Sequence, residues 1–196
     1  RVTDEETLVV VEEELKALNE LIVREISQLG ARAVGLNGKD EKIIQVKKKK
    51  GEIDLGLVGQ IIGVNTEPLL EVLKTDKIAV VLPMGRGEDK KVYNVNADEA
   101  AASISAALKA EKLVLLTNVK GVMRNTDDSN SFISTLMVNE ARGLIQDNVV
   151  HHGMIPKVIA CIDALDNGAK KTHIIDARIP HGLLLEIFTD KGIGTE

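Results

Sequence analysis

The sequence predicts an α/β fold with a largely parallel sheet. Short, strongly apolar runs at Ile78–Leu82, Leu113–Thr117 and His173–Ile175 are typical of buried strands. Helical patterns separate these runs, and parallel strands need such crossovers. With 196 residues, of which 44% are hydrophobic, the chain can bury the core of one domain or of two small lobes.

The first helix is predicted between Leu8 and Leu29. Its apolar residues recur every three to four positions: Leu8, Val11, Leu15, Leu18, Ile22, Ile26 and Leu29. Thr3 and Glu6 form a capping-box pattern before it, and Gly30 is typical of a residue that follows a helix. Further helices are expected at Ala97–Leu108, Asn139–Asp147 and Pro156–Asp166.

A hairpin at a sheet edge is predicted from the apolar runs Ile43–Val46 and Ile53–Val58. Lys47–Lys50 and Gly51 lie between these runs. The four lysines have two possible interpretations, a phosphate-binding patch or a solvated turn. We favour the turn, because lysines on an edge also discourage pairing with other chains.

Composition argues against several function classes. The sequence holds one tyrosine, two phenylalanines and no tryptophan, and its net charge is −5, so nucleic-acid binding is not expected. The apolar runs are shorter than a membrane span, so no membrane partner is expected. The single cysteine, Cys161, allows neither an internal disulfide nor a thiolate zinc site. It fits a reducing, cytoplasmic location.

Common phosphate and metal motifs do not occur in the sequence. No Walker P-loop is present, and Gly85-Arg86-Gly87 lacks the third glycine of a dinucleotide fingerprint. His151 and His152 are adjacent, a poor spacing for two ligands on one helix face. We therefore expect no metal site built from protein side chains.

Polar residues gather where an extended segment meets the helix predicted from Ala97. Asn94, Asn96 and Asp98 stand within five positions of one another. They could contact a ligand. Alternatively, Asn96 caps the helix and Asp98 complements the helix dipole.

A cation stands at the start of the helix predicted from Pro156. Lys157 lies in the first turn, where a positive charge opposes the helix dipole. The placement is favourable if an anion binds at this helix N-terminus. The alternative is an ordinary solvated surface lysine.

The C-terminal segment combines titratable residues with closely spaced glycines. His173, His181 and Glu186 precede Gly192 and Gly194. Two glycines at this spacing permit close approach of the backbone to another group. The alternative is an ordinary turn into a last strand.

The order and spacing of several short segments resemble N-acetylglutamate kinases, members of the amino acid kinase superfamily. The segments that carry this resemblance cover essentially the whole chain: Arg1-Val2-Thr3-Asp4, Ala33–Leu36, Asp54–Gly59, Asn94–Asp98, Leu115–Thr117, Gly153–Lys157 and Phe188–Thr195. The last segment resembles the arginine-sensitive branch. The resemblance implies an αβα sandwich with a mainly parallel central sheet, from which the N-terminal strands are missing here.

The resemblance also implies that the two parts of the chain have different functions. Residues 1–109 would be the remainder of the lobe that binds the amino-acid substrate and forms dimers. Residues 110–196 would be the nucleotide-binding lobe. Full-length relatives are expected to be homodimers or hexamers.

The implied reaction moves the γ-phosphoryl group of ATP, bound with Mg²⁺, to the side-chain carboxylate of N-acetyl-L-glutamate in arginine biosynthesis. An acceptor carboxylate with a pKa of about 4 is already ionised at neutral pH, so no general base is needed. Catalysis then requires positioning and neutralisation of charge on the transferred group.

By resemblance, Lys157 stabilises the transferring phosphoryl group and Asp98 organises the catalytic lysines. The substrate-binding residues would be Arg1, Asn94 and Asn96. The nucleotide-binding residues would be Thr117, Asn118, Val119, Lys120, Gly121, Val122, Met123, Val149, Val150 and His151. The residues that bind arginine as feedback inhibitor would be His173, Glu186 and Gly192. The alternative is a catalytically impaired fragment or diverged paralogue that acts as an arginine-binding or partner-binding module.

Overall fold

The computed structural model describes residues 2–125, 127–150, 153–189 and 192–196. The chain divides into two compact units, Arg1–Ile104 and Ser105–Glu196. Each unit combines helices with parallel strand pairs, so the predicted α/β class is confirmed.

Helices separate groups of strands along the chain. The helices are α1 (Glu5–Gln28), α2 (Glu67–Lys74), α3 (Ala97–Ala107), α4 (Val138–Gln146), α5 (Ile155–Asp166) and α6 (Gly182–Phe188). The strands are β1 (Ala33–Asn37), β2 (Ile44–Lys48), β3 (Gly59–Val64), β4 (Ile78–Leu82), β5 (Met84–Gly87), β6 (Val92–Asn94), β7 (Lys112–Thr117) and β8 (Lys171–Asp176).

Helix α1 begins one residue later than the predicted capping box requires. Its N-cap is Asp4, whose carboxylate accepts a hydrogen bond of 2.7 Å from the backbone N–H of Thr7. The predicted cap at Thr3 is wrong, because the backbone of Thr3 pairs with another segment. Its N–H donates to the carbonyl of Leu55 at 2.9 Å, and its own carbonyl accepts from Leu57 at 2.6 Å.

The packed face of α1 also differs from the predicted apolar stripe. Leu18 and Ile22 are 50% and 38% exposed, whereas Asn19 is buried. The amide of Asn19 donates to the carbonyl of Val80 at 2.8 Å, which satisfies a polar group under the helix. Packing against β4 therefore determines which face of α1 is turned toward β1 and β4.

The first unit contains a parallel pair and a mixed sheet. Strands β1 and β4 pair in parallel from Ala33 opposite Ile78 to Asn37 opposite Leu82. The mixed sheet has the order β3-β2-β5-β6, with β3 at one edge. Strand β4 is less buried than predicted, since Ile78 is 47% exposed.

The predicted hairpin exists, but its second strand begins at Gly59 and not at Ile53. The antiparallel pair is β2 with β3, and the lysine run belongs partly to β2. Lys48 lies 2.8 Å from a carboxylate oxygen of Asp54, and Lys49 lies 2.8 Å from Glu99. These ion pairs agree with the solvated interpretation of the lysines.

The second unit is built on the parallel pair of β7 and β8. Its register runs from Lys112 opposite Lys171 to Thr117 opposite Asp176. Helix α5 packs against both strands, α6 packs against β8, and α4 packs against α5. Strand β8 is buried after its first residue, and β7 alternates, with Leu116 exposed. The carboxyl ends of both strands lie side by side, an edge at which α/β sheets commonly bind ligands.

No helix within the described residues is both long enough and apolar enough to cross a membrane.

Candidate functional site

A cavity of about 380 Å³ opens at the carboxyl end of β7 in the second unit. Its volume falls in the range of small-molecule pockets, which is roughly 300–1,000 Å³. The segment after β7 and the start of α5 form its walls. The lining residues are Thr117, Asn118, Val119, Gly121, Val122, Met123, Val150, Gly153, Met154 and Lys157.

The start of α5 supplies the positive charge of this cavity. Lys157 lies in the first turn, two residues after Ile155, and Pro156 suits a position at which no backbone N–H is needed. The N-cap residue, Met154, makes no side-chain capping hydrogen bond, and the first turn carries no acidic residue. The helix dipole and Lys157 therefore both favour an anion in the cavity.

The structure brings most of the sequence-predicted nucleotide residues together. Eight of the predicted nucleotide and catalytic residues line the cavity: Thr117, Asn118, Val119, Gly121, Val122, Met123, Val150 and Lys157. Lys120 and Val149 are described but are not among the lining residues, and His151 lies outside the described residues. Gly153 and Met154 line the cavity as well. The sequence signal for these two is the Gly-Met-Ile-Pro-Lys segment that opens α5.

The predicted substrate residues belong to the first unit. Asn94 ends β6, is half-buried, and donates from its amide to the hydroxyl of Thr3 at 3.4 Å. Asp98 is half-buried in the first turn of α3. Arg1 lies outside the described residues.

Asn96 acts locally as the cap of α3. Its side-chain oxygen accepts hydrogen bonds from the backbone N–H groups of Asp98 at 2.9 Å and Glu99 at 3.1 Å. The capping interpretation of this asparagine is therefore confirmed. It leaves the amide NH₂ group of Asn96 as the part of the side chain that could contact a substrate.

The three predicted arginine-binding residues converge in the second unit. The carboxylate of Glu186 lies 2.7 Å from the Nδ1 atom of His173, and both side chains are buried. Gly192 has a φ of +58°, and a Cβ atom there would lie 2.7 Å from a Glu186 oxygen, so the close approach requires glycine. We call this group the Glu186 clasp: His173, Glu186 and residues 192–194.

The Glu186 carboxylate also holds the backbone after Gly192. It accepts hydrogen bonds from Ile193 N–H at 2.6 Å and from Gly194 N–H at 2.9 Å. Burial by itself raises the pKa of Glu186, but these two N–H groups and His173 outweigh it and leave the pKa below its ordinary value. The Nε2 atom of His173 is buried and has no hydrogen-bond partner among the residues that the structure describes.

A second buried carboxylate, that of Asp176, lies at the last position of β8, beside the cavity wall. Asp176 pairs with Thr117 across the parallel strands. Both oxygens of Asp176 accept hydrogen bonds from the guanidinium of Arg178, at 2.9 and 2.8 Å. This pair lowers the pKa of Asp176 to about 2. The carboxylate is therefore ionised at neutral pH.

Comparison with known proteins identifies the family. A model described as the amino acid kinase family matches residues 1–176. The chain belongs to this family. It is 48% identical over 196 residues to the acetylglutamate kinase of Petrotoga mobilis and spans 66% of that protein's length. It is 47% identical over 196 residues to the acetylglutamate kinase of Syntrophomonas wolfei and spans 68% of that protein. In both cases all of this chain is covered.

Solved structures share the amino acid kinase fold. The N-acetylglutamate synthase of Neisseria gonorrhoeae, in complex with coenzyme A and N-acetyl-glutamate, is similar to this chain with a TM-score of 0.86 and 26% identity. That similarity covers all of this chain and 44% of the synthase chain. The predicted amino acid kinase-like fold is therefore confirmed. The chain spans somewhat under two thirds of the curated relative from Petrotoga mobilis.

Proposed function

We propose that this chain serves in phosphoryl transfer from ATP to the side-chain carboxylate of N-acetyl-L-glutamate. The observation that carries the proposal is the cavity at the end of β7, which combines apolar walls with Lys157 at a helix N-terminus. Apolar walls suit a nucleobase, and the charged end suits its phosphates. The names of the curated relatives supply the substrate class.

The chemistry fits the residues that are present. Lys157 would hold the γ-phosphoryl group and neutralise the charge that develops on it during transfer. The nucleotide would bring Mg²⁺ with it, which would supply further neutralisation of the phosphate charge. The acceptor carboxylate is ionised at neutral pH, so no side chain of this protein has to remove a proton from it.

In this proposal the two parts of the chain have different tasks. Residues 110–196 bind ATP through the cavity. Residues 1–109 bind the amino acid through Arg1, Asn94 and Asn96 and contribute Asp98 to catalysis. The proposal includes a cytoplasmic location and assembly of the full-length protein as a homodimer or hexamer.

Arginine is proposed as a feedback inhibitor that acts at the Glu186 clasp. A carboxylate is the natural partner of a guanidinium group, with which it forms two parallel hydrogen bonds. The buried Nε2 atom of His173 supports a ligand at this point, because a buried polar atom favours a hydrogen-bond partner.

The same clasp supports a second candidate function. A chain that binds arginine but transfers no phosphate would be a sensor or partner-binding module. The two candidates differ in nucleotide binding. Isothermal titration calorimetry of the 196-residue chain with MgATP and, separately, with arginine distinguishes them. Heat with ATP supports the kinase, whereas heat with arginine and none with ATP supports the sensor.

A substrate panel tests the acceptor. Acyl phosphates react with hydroxylamine to give hydroxamates, which form coloured complexes with ferric iron, so product formation can be compared for N-acetylglutamate, aspartate and carbamate. The proposal expects product from N-acetylglutamate above the other two. A preference for aspartate or carbamate would assign the chain to a different branch of the amino acid kinases.

A further inference from the structure

The C-terminal tail, defined here as residues 192–196, runs beside β8. Thr195 pairs with Ile174 through two backbone hydrogen bonds, of 2.9 and 3.0 Å. Thr195 is only 4% exposed. The tail is therefore an integral part of the second unit.

The hydroxyl of Thr195 holds the segment that lines the cavity. It accepts a hydrogen bond of 2.8 Å from the backbone N–H of Val122 and donates one of 2.6 Å to the carbonyl of Ile133. A threonine hydroxyl has a single hydrogen to donate, so this bond to Ile133 directs its lone pairs toward Val122. The N–H of Val122 is therefore held by a side chain of the tail, while the carbonyl of Val122 accepts a hydrogen bond of 3.0 Å from the N–H of Ile133.

The approach of the tail to this segment is unusually close. Gly121 has a φ of +145°, and a Cβ atom there would lie 2.5 Å from the Thr195 hydroxyl oxygen. The glycine therefore makes room for the hydroxyl. Gly121 and Val122 both line the cavity, and Val122 is 1% exposed.

The other end of the tail is held by the Glu186 clasp. Ile193 and Gly194 donate their backbone N–H groups to the Glu186 carboxylate, and Thr195 follows directly. One residue step therefore separates the backbone that Glu186 holds from the hydroxyl that holds Val122. Two sets of hydrogen bonds, joined by the covalent step from Gly194 to Thr195, therefore lie between the clasp and the cavity wall.

We propose that Thr195 is a positioning residue for the nucleotide cavity. The proposal rests on the proposed function, in which the cavity binds ATP.

The test compares Thr195→Val, which removes the hydroxyl at nearly constant shape, with Thr195→Ser, which keeps it. MgATP affinity is measured by calorimetry on the 196-residue chain. Loss of one buried hydrogen bond at the cavity wall is expected to raise the dissociation constant about tenfold in Thr195→Val. Thr195→Ser is expected to stay within about twofold of the wild type.

Thr172→Val is the matched control, because Thr172 is also a buried threonine of the second unit, on β8. It is expected to change thermal stability but not ATP affinity. Hydrogen exchange of the Val122 amide, followed by NMR, gives a readout without ligand. Exchange is expected to accelerate in Thr195→Val and to remain slow in Thr195→Ser and Thr172→Val.

The outcomes separate this inference from the proposed function. A wild-type chain that does not bind ATP overturns the proposed function. A folded Thr195→Val variant with wild-type ATP affinity overturns the inference alone. If Thr195→Val does not fold, the Thr195→Ser variant decides. Weak ATP binding, although hydrogen exchange of the Val122 amide stays slow, overturns the inference. Normal ATP affinity together with slow exchange supports it.

Discussion

The first turns of α3 and α5 differ in whether their own side chains accept hydrogen bonds from the free backbone N–H groups and compensate the helix dipole. Helix α3 begins at a capping asparagine, Asn96, and carries Asp98 and Glu99 in its first turn. Helix α5 begins after Met154 and carries Lys157 in its first turn, with no acidic residue there. The positive end of α3 is compensated by its own side chains, whereas that of α5 is reinforced.

This difference shows how a sequence can prepare an anion site. A cap and two acids stabilise a helix locally, by about 1 kcal/mol for the cap alone. A lysine in the first turn opposes the dipole and is favourable only when an anion lies nearby. The proposed phosphate site therefore lies at the helix start whose first turn carries a lysine and no acidic residue.

The largest effect is expected at α5. Lys157→Ala should reduce acyl-phosphate formation by about 100-fold or more, because it removes charge stabilisation of the transferring group. The hydroxamate assay measures this change. The control is Lys170→Ala, because Lys170 is an exposed lysine of the same unit that pairs with Glu111. Equal rates in the two variants would remove Lys157 from its proposed role.

The next effect is expected at the cap of α3. Asn96→Ala should lower the free energy of unfolding by about 1 kcal/mol, because two backbone N–H groups lose their acceptor. Urea denaturation measures this difference. Asn96→Asp keeps a capping oxygen and should retain most of the stability. A stable Asn96→Ala variant that had lost binding of N-acetylglutamate would show that the asparagine serves the substrate more than the helix.

A smaller effect is expected from the first-turn acid of α3. Glu99→Gln should reduce stability by about 0.5 kcal/mol at low salt, because it weakens both the dipole interaction and the ion pair with Lys49. Urea denaturation at low and high salt should show the difference shrinking as salt rises. Lys49→Met removes the ion pair alone, so a double-mutant cycle isolates the ion-pair energy, and the effect of Glu99→Gln in the Lys49→Met background gives the dipole contribution. An effect that does not depend on salt would contradict this electrostatic origin.

The smallest effect is expected at α1, whose cap is ionisable. Hydrogen bonds from the side chain and backbone N–H of Thr7 lower the pKa of Asp4 below its ordinary value of 3.8. The ionised cap therefore adds stability above about pH 4, and this contribution is lost as the pH falls through the lowered pKa. Urea denaturation at pH 6 and pH 3 should show the wild type losing more stability than Asp4→Asn. Thr7→Val should reduce that pH dependence, and an unchanged dependence would contradict the assignment.

Local sequence patterns were sufficient to predict the bounds of several helices and strands. The predicted helix at Pro156–Asp166 differs from α5 by one residue, and the predicted strand at Leu113–Thr117 differs from β7 by one. Apolar periodicity and helix-end residues act within a few positions, so they can be recognised in the sequence. Helix α6 was not predicted, because its seven residues are too few for a periodic pattern.

Tertiary contacts decided the remaining features. The strand predicted at Ile53–Val58 begins at Gly59, because pairing with β2 sets the register. No pattern near Thr195 indicates that its hydroxyl holds Val122, a residue 73 positions away. Such contacts depend on how the chain closes on itself.

The sequence by itself determined the α/β class, the starts of α3 and α5 to within one residue, and the residue types around the positive end of α5, because these depend on neighbours within one or two turns. Only the tertiary structure decided which face of α1 is packed, that Glu186 is buried against the tail, and that Thr195 reaches the cavity wall. These features require groups far apart in the chain to meet. The physical reason is that a buried polar group is stabilised by a hydrogen-bond partner, and only the fold decides which distant group lies within reach.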